Sequence, residues 1–282
     1  MKKCVISYII LSYKNLNITL QCIKHLINIS KNYVYSIVVV DNNSLLESEI
    51  NVIKEYTKDV IQLDSNLGYA KANNIGVKYA IKKYNPDFIS VLNNDVYISD
   101  PFFIKLIEND YKKYNFDILG PQITSPTRES INPFPVITGK NRIHKEIRKG
   151  KLMCFIYSSI FLYFLLNIYI SFKRLIFPQK AKCNGEKILQ KVPLHGCALI
   201  FSKNYFRHYI DAFDDSTFLF HEEEFLYARI IESDLISLYD PNLIIYHNEG
   251  SSIKLNSKTE RMSKKFKEKE RIKSLKILER RI

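Results

Sequence analysis

The chain has 282 residues, room for one large α/β domain or one such domain with additions. An apolar share of 46% excludes disorder as the default, and 8 Gly, 9 Pro and no internal repeat exclude a linker-divided or repeat architecture. The formal net charge of +13 calls for an anionic partner, with nucleic acid, nucleotide diphosphates and anionic lipid as the competing classes; 12 Lys/Arg against 4 Glu from Lys254 onward concentrate it at one end.

The first 120 residues alternate short apolar runs with helical spacing. Cys4 to Leu11 reads as a strand buried on both faces, and Asn17 to Ile29 as a helix with Ile18, Cys22, Leu26 and Ile29 on one side. Ser36 to Val40 is a second strand, Glu47 to Tyr56 a helix and Val60 to Leu63 a third strand. Ala70 to Lys83 is helical and Phe88 to Leu92 a fourth strand. This pattern predicts βαβ units and a mainly parallel sheet, whose ligands bind beyond the carboxyl ends of the strands. The polar clusters fall there: Ser12-Tyr13, Asp41 to Ser44, Asp64 to Gly68 and Asn93 to Asp95. Residues 124–150, with Pro126, Pro133 and Pro135, read as irregular. After Pro178, strand-like or helical segments resume at Leu194 to Phe201, Glu222 to Glu232 and Leu243 to His247. From Lys258 onward a charged helix carries Met262, Phe266, Leu275 and Leu278 as a thin apolar stripe.

Leu152 to Phe172 holds 21 residues without a charge, flanked by Arg148, Lys149, Lys151, Lys173 and Arg174. At about 1.5 Å per residue it is long enough to span a bilayer. A span would put Asp95 and Glu223 on opposite sides of the membrane. The segment is therefore expected as an in-plane or re-entrant helix on anionic lipid, or as a helical hairpin arm packed on protein. The five cysteines (Cys4, Cys22, Cys154, Cys183, Cys197) lack metal-type spacing and suit reduced thiols. Met1-Lys2-Lys3 runs into a strand without a cleavage site, so no signal peptide is expected.

Two acidic clusters carry candidate chemistry. Asn93-Asn94-Asp95 follows an apolar strand, so Asp95 projects from a strand end where hard oxygen ligands suit Mg²⁺ or Mn²⁺; an Asx turn explains the same residues. Glu222-Glu223-Glu224 follows an aromatic run at a helix start. Acids there satisfy the helix dipole, yet crowded carboxylates beside aromatics also suit a general base.

The segments VISYIILSYKN, IVVVDNNS, NLGYAKANNIGVKYA, ISVLNNDV, HGCALIFSK, FDDSTFLFHEEEFLYAR and PNLIIYHNEGSS, in this order, resemble the family 2 glycosyltransferases, particularly the rhamnosyltransferase-like branch. The likeness covers roughly residues 4–125 and 192–253. It implies a GT-A type, Rossmann-like, mainly parallel α/β sheet flanked by helices over residues 1–255. A hydrophobic helical insertion at about 140–182 and a basic helical tail at 256–282 would complete the chain. It implies that Asp41 and Asn43 meet the donor base with Ser12 and Tyr13. Asn66, Gly68, Lys71 and Asn74 would line the nucleotide and diphosphate with Asn93 and Asn94. Asp95 and His247 would hold the metal; a lone His after a strand is also commonly structural. His195 and Gly196 would form the acceptor side. The family's paired acids match Glu222-Glu223, commonly Glu-Asp, which leaves open which one is the base.

The resemblance implies an inverting transferase that uses a dTDP-rhamnose or UDP-hexose donor and a polyprenyl-linked or growing glycan acceptor in bacterial surface polysaccharide synthesis. The expected setting is cytoplasmic, peripheral at the inner face of the cell membrane, with a homodimer as one option and without nucleic acid. A dinucleotide oxidoreductase would need glycines at Leu11 to Asn15, and a sugar nucleotidyltransferase a Gly-rich basic loop there. A nucleic-acid binder would need a recognisable module. A non-catalytic glycosyltransferase-like binding protein is the alternative of a different class.

Overall fold

A computed structural model describes residues 5–125, 131–176, 187–248 and 257–281. Cys4, Pro126, Pro178, Cys183 and Ser251-Ser252 lie outside the described residues.

The chain opens with β1 (Ile6–Ser12), α1 (Leu16–Ile29), β2 (Tyr35–Asp41), α2 (Glu47–Lys54), β3 (Asp59–Gln62), α3 (Tyr69–Tyr84) and β4 (Phe88–Asn93). It continues through β5 (Val96–Tyr97), α4 (Phe103–Tyr114), β6 (Ile118–Thr124), α5 (Lys140–Ile156) and α6 (Ile160–Ile176). The last part holds β7 (Leu189–Gln190), β8 (Ala198–Ser202), α7 (Glu222–Glu232), β9 (Ser237–His247) and α8 (Ser257–Arg281). The sheet runs β3-β2-β1-β4-β8-β6-β9-β5, with β7 beside β9. The first four strands are mutually parallel; β8 is antiparallel to both β4 and β6, and β6 returns to parallel with β9.

Alternation explains why β1 and β2 read as unbroken apolar runs. Ile6, Tyr8 and Ile10 with Ile37 and Val39 face Cys22, Ile23 and Leu26 of α1. Ile9 with Val38 and Val40 faces Val77 and Ala80 of α3, in a core shared with Leu226 and Ile230 of α7. Both faces are covered by helices, as a parallel sheet requires.

Two expectations need correction. Residues 124–150 are not irregular throughout, because α5 begins at Lys140. Its apolar stripe is thin, and Ile143 and Ile147 are buried only because Ile272, Leu275 and Leu278 of α8 lie against them, with Phe225 of α7. The uncharged run Leu152 to Phe172 is also not one helix. The Ser158 hydroxyl donates to the Cys154 carbonyl at 2.7 Å, and Ser159 Oγ accepts from Leu162 N at 3.4 Å as α6 starts. Serines that bond the backbone this way interrupt a helix and start another. The two helices meet at 116°, and among the described residues no single helix is long and apolar enough to cross a membrane.

Candidate active site

Three strand ends sit side by side at the carboxyl edge. Ser12 of β1 pairs in register with Asp41 of β2, and Leu11 with Asn93 of β4. Their side chains do different things. Ser12 Oγ lies 2.9 Å from Thr19 Oγ1, tying the strand end to α1, while Tyr13 stands exposed. The Asp41 carboxylate accepts from Ser44 Oγ at 2.7 Å and from the Ser44 and Leu45 amides, so it folds its own loop. Asn43 sits inside that loop at φ +56°, a left-handed position that Asn tolerates.

The next loop is held by Asn42. Its Nδ2 donates to Asn66 Oδ1 and to the Gly68 carbonyl, both at 3.0 Å, and its Oδ1 accepts from Leu67 N at 2.8 Å. Gly68 has φ +83°, and a Cβ there would meet the Phe218 carbonyl oxygen at 2.0 Å. Only glycine fits both constraints. Lys71, one turn into α3, is exposed. Asn74 is buried and uses both ends of its amide on the Phe213 backbone, at 2.9 and 3.0 Å, so it clamps α3 to the 213 segment.

Beyond β4, Asn93 N donates to the Cys197 carbonyl and Asn94 Nδ2 to Thr19 Oγ1. Asp95 and His247 converge: β5 pairs antiparallel with the end of β9, and His247 Nε2 lies 3.1 Å from Asp95 Oδ1. Apart from that contact, Asp95 Oδ1 has no hydrogen-bond partner, and neither does the buried His247 Nδ1. The His195 ring centroid lies 6.2 Å from that of His247, which carries the site toward α7.

There a cavity of about 440 Å³ is lined by Asn93, His195, Gly196, Glu222, Glu223 and Tyr69, among others. Gly196 N donates to Glu223 Oε1 at 3.0 Å, and Tyr69 OH donates to the Gly196 carbonyl at 2.5 Å. His195 Nδ1 accepts from Cys197 N at 3.0 Å, and His195 N donates to Asn132 Oδ1 at 2.7 Å. Burial, then the neighbouring Glu223 charge, pushes the Glu222 carboxyl well above the usual carboxylate range. Glu224 accepts from Ile137 N and lies against His221 Nδ1, both at 3.2 Å. The helix starts abruptly: Phe220 and His221 take φ +71° and +70° in succession. Strain of this kind persists only where surrounding structure enforces it.

The structure thus gathers Asn93, His195, Gly196, Glu222 and Glu223 around one cavity. It sets Asp95 with His247 next to that cavity through the His195–His247 ring pair, Asp95 itself lining a smaller pocket with Cys22 and Asn94. Asp41, Asn43, Asn66 and Gly68 lie in the neighbouring loops. Asn42, Tyr69 and Arg271, which also lines the cavity, were not singled out from the sequence. Asn42 and Tyr69 lie inside motifs that were read. Arg271 carries no local signal, since α8 reaches the cavity through its packing on α5 and α7 and its bond to the Leu219 carbonyl.

A mainly parallel α/β sheet with acids at its carboxyl edge defines the GT-A type of fold. The chain belongs to glycosyl transferase family 2, whose model matches residues 7–167, a stretch that holds Asp41 and Asp95 but stops short of Glu223 and His247. A hexosyltransferase of low-salt glycan biosynthesis, Agl10 of Haloferax volcanii, is 30% identical over 137 residues, which cover 43% of this chain and 43% of that protein. The match thus spans less than half of that curated relative. The crystal structure of S. aureus TarS, residues 1–349, is similar in fold at TM-score 0.50 and 13% identity, over 86% of this chain and 60% of that one.

Proposed function

We propose that the protein is an inverting glycosyltransferase that moves a sugar from a nucleotide diphosphate to an acceptor hydroxyl. The observation that carries this reading is the chain of contacts at the carboxyl edge: Asp95 lies 3.1 Å from His247, the His247 ring 6.2 Å from that of His195, and Gly196, next to His195, donates to Glu223 in the adjoining cavity. Glu223 is the base: its Oε1 is oriented by Gly196 N, and it lines the open cavity. Glu222 beside it is buried, and burial with the neighbouring Glu223 charge raises its carboxyl and favours the protonated form.

A divalent cation fits the opposite end. Among the described residues no three His, Cys, Asp or Glu side chains gather to hold a metal. Asp95 Oδ1, which has no hydrogen-bond partner, and His247 Nε2, 3.1 Å from it, are nevertheless a donor pair that Mg²⁺ or Mn²⁺ accepts. Asp95 and His247 would hold the ion, which when bound neutralises the charge building on the leaving diphosphate. The loop pinned by Asn42, with Gly68 and Lys71, borders the donor. The donor reading is dTDP-rhamnose or a UDP-hexose, and the acceptor reading a lipid-linked or growing glycan in surface polysaccharide synthesis. A cytoplasmic setting belongs to the same reading, supported by the free thiols of Cys22 and Cys154.

One observation favours a non-catalytic binder: the Asp41 carboxylate is occupied within its own loop. Calorimetry with dTDP and UDP, with and without Mn²⁺, separates the two readings. Metal-dependent binding that Asp95→Ala abolishes is the expected result. Absence of binding to either nucleotide under any metal would sink the transferase.

A further inference from the structure

The excess charge of this chain is confined to one substructure. Helix α5 carries six Lys/Arg against one Glu, and α8 eleven against four. With Lys173 and Arg174 at the end of α6 the three helices total +14, so all other residues together sum to −1. The transferase fold is near neutral, and its arm is not.

That arm is built as one piece. Helices α5 and α8 pair antiparallel: His144 meets Glu279, Arg271 Nη1 lies 3.2 Å from Glu146 Oε2, and Cys154 approaches the Lys265 carbonyl. Gly150 permits the close approach, since a Cβ there would meet Ile272 at 2.8 Å. The start of α6 is fixed to the same pair, because Arg261 Nη1 donates to the Tyr157 carbonyl and Lys264 Nζ to Tyr163 OH at 3.2 Å.

Its outer surface is sorted along its length. Helix α6 packs through Tyr163 and presents an opposite face of Ile160, Phe161, Phe164, Ile168 and Phe172, each more than half exposed. On α5, Lys145, Arg148, Lys149, Leu152 and Phe155 are exposed at helical spacing, basic first and apolar next to α6. On α8 one exposed stripe reads Met262, Phe266, Lys269, Lys273, Lys276 and Arg280, again apolar beside α6 and basic beyond. Two antiparallel helices therefore place their apolar ends together around α6 and their basic stretches behind.

We propose that this arm docks the protein on an anionic bilayer, with α6 and the adjoining helix ends seated among the acyl chains and the basic stretches of α5 and α8 on the headgroups. An apolar face flanked by cations matches the depth profile of such a surface. A polyanion such as nucleic acid would satisfy the cations and leave the aromatic face in water. A second copy on the same face would bring +14 against +14. Arg271 belongs both to the arm and to the lining of the cavity that holds Glu223, so docking sets that cavity beside the membrane. An acceptor carried on a lipid would then arrive on that side.

Flotation of the whole chain with vesicles of phosphatidylcholine or phosphatidylglycerol tests the proposal, and it needs neither donor nor turnover, so its outcome is separate from that of the transferase reading. Binding to phosphatidylglycerol alone is expected. Phe161→Glu with Phe164→Glu, and separately Lys269→Glu with Lys273→Glu, should each weaken it by about tenfold or more. Both variants should keep the wild-type melting temperature. If the acidic pair at α6 unfolds the chain, Phe161→Ser with Phe164→Ser replaces it. Equal binding by the wild type and the α6 variant overturns the proposal, as does a wild-type dimer that ignores vesicles and that the α6 variant dissociates.

Discussion

Glu222 and Glu223 are neighbours in sequence with opposite environments, and the difference sets two predictions. Glu223→Gln removes the base proposed above and should lower kcat by about 10² or more while leaving nucleotide affinity unchanged. Burial favours the protonated form of Glu222, which Glu222→Gln copies, so at neutral pH that variant should retain most activity. A group whose folded pKa is raised leaves the fold unpenalised below its ordinary value of 4.5 and destabilises it progressively as pH climbs from there toward the raised folded value. The melting temperature of Glu222→Gln relative to wild type should therefore be higher at pH 8 than at pH 5. A difference independent of pH would show that burial does not perturb Glu222. Gly68→Ala meets both a left-handed φ and the Phe218 carbonyl. It should destabilise by about 2 kcal/mol or more and abolish nucleotide binding, checked by denaturant unfolding and calorimetry. Asp95 and Glu223 were legible in the sequence because each is an acid at the end of an apolar element. Asn42 was not, because an asparagine in an Asp-Asn-Asn-Ser turn looks the same whether it ends the turn or pins another loop 24 residues away.

At the scale of elements, α8 is where sequence and structure part most clearly. Read alone it is a charged helix with a thin stripe. In the fold, Leu275 and Leu278 are buried, Ser274 Oγ donates to the Leu219 carbonyl at 2.7 Å, and Arg281 pairs with Asp214 and Glu232. It thereby braces the segment that leads into the strained start of α7. Leu275→Ala should cost about 2–5 kcal/mol by opening the cluster shared with Ile143 and Phe225. Chemical denaturation would measure the loss, and a change below about 0.5 kcal/mol would mean that α8 does not pack there. The strands β1 to β4 were legible because burial on both faces writes a continuous apolar run. The break at Ser158 and Ser159 was not, since it depends on which backbone groups two hydroxyls choose.

Across the whole molecule, charge and packing are segregated. The sheet and its helices are near neutral, whereas α5 and α8 press like charges together across one apolar seam. Raising NaCl from about 0.1 to 1 M shortens the screening length from about 10 to 3 Å, which relieves that repulsion. Hydrogen exchange in α5 and α8 should slow with salt while α1 and α3 change little; an equal response in both regions would contradict the partition. The sequence by itself determined the family, the parallel βα frame and the acids at its carboxyl edge, because each follows from local periodicity and from strand ends. Only the tertiary structure brought Asp95 to within 3.1 Å of His247 and drew Tyr69 across to the Gly196 carbonyl. It alone also decided that a charged C-terminal helix and a broken apolar run form one arm beside the site. Those outcomes depend on contacts between segments more than 100 residues apart, such as Arg271 with Glu146, and no local pattern encodes them.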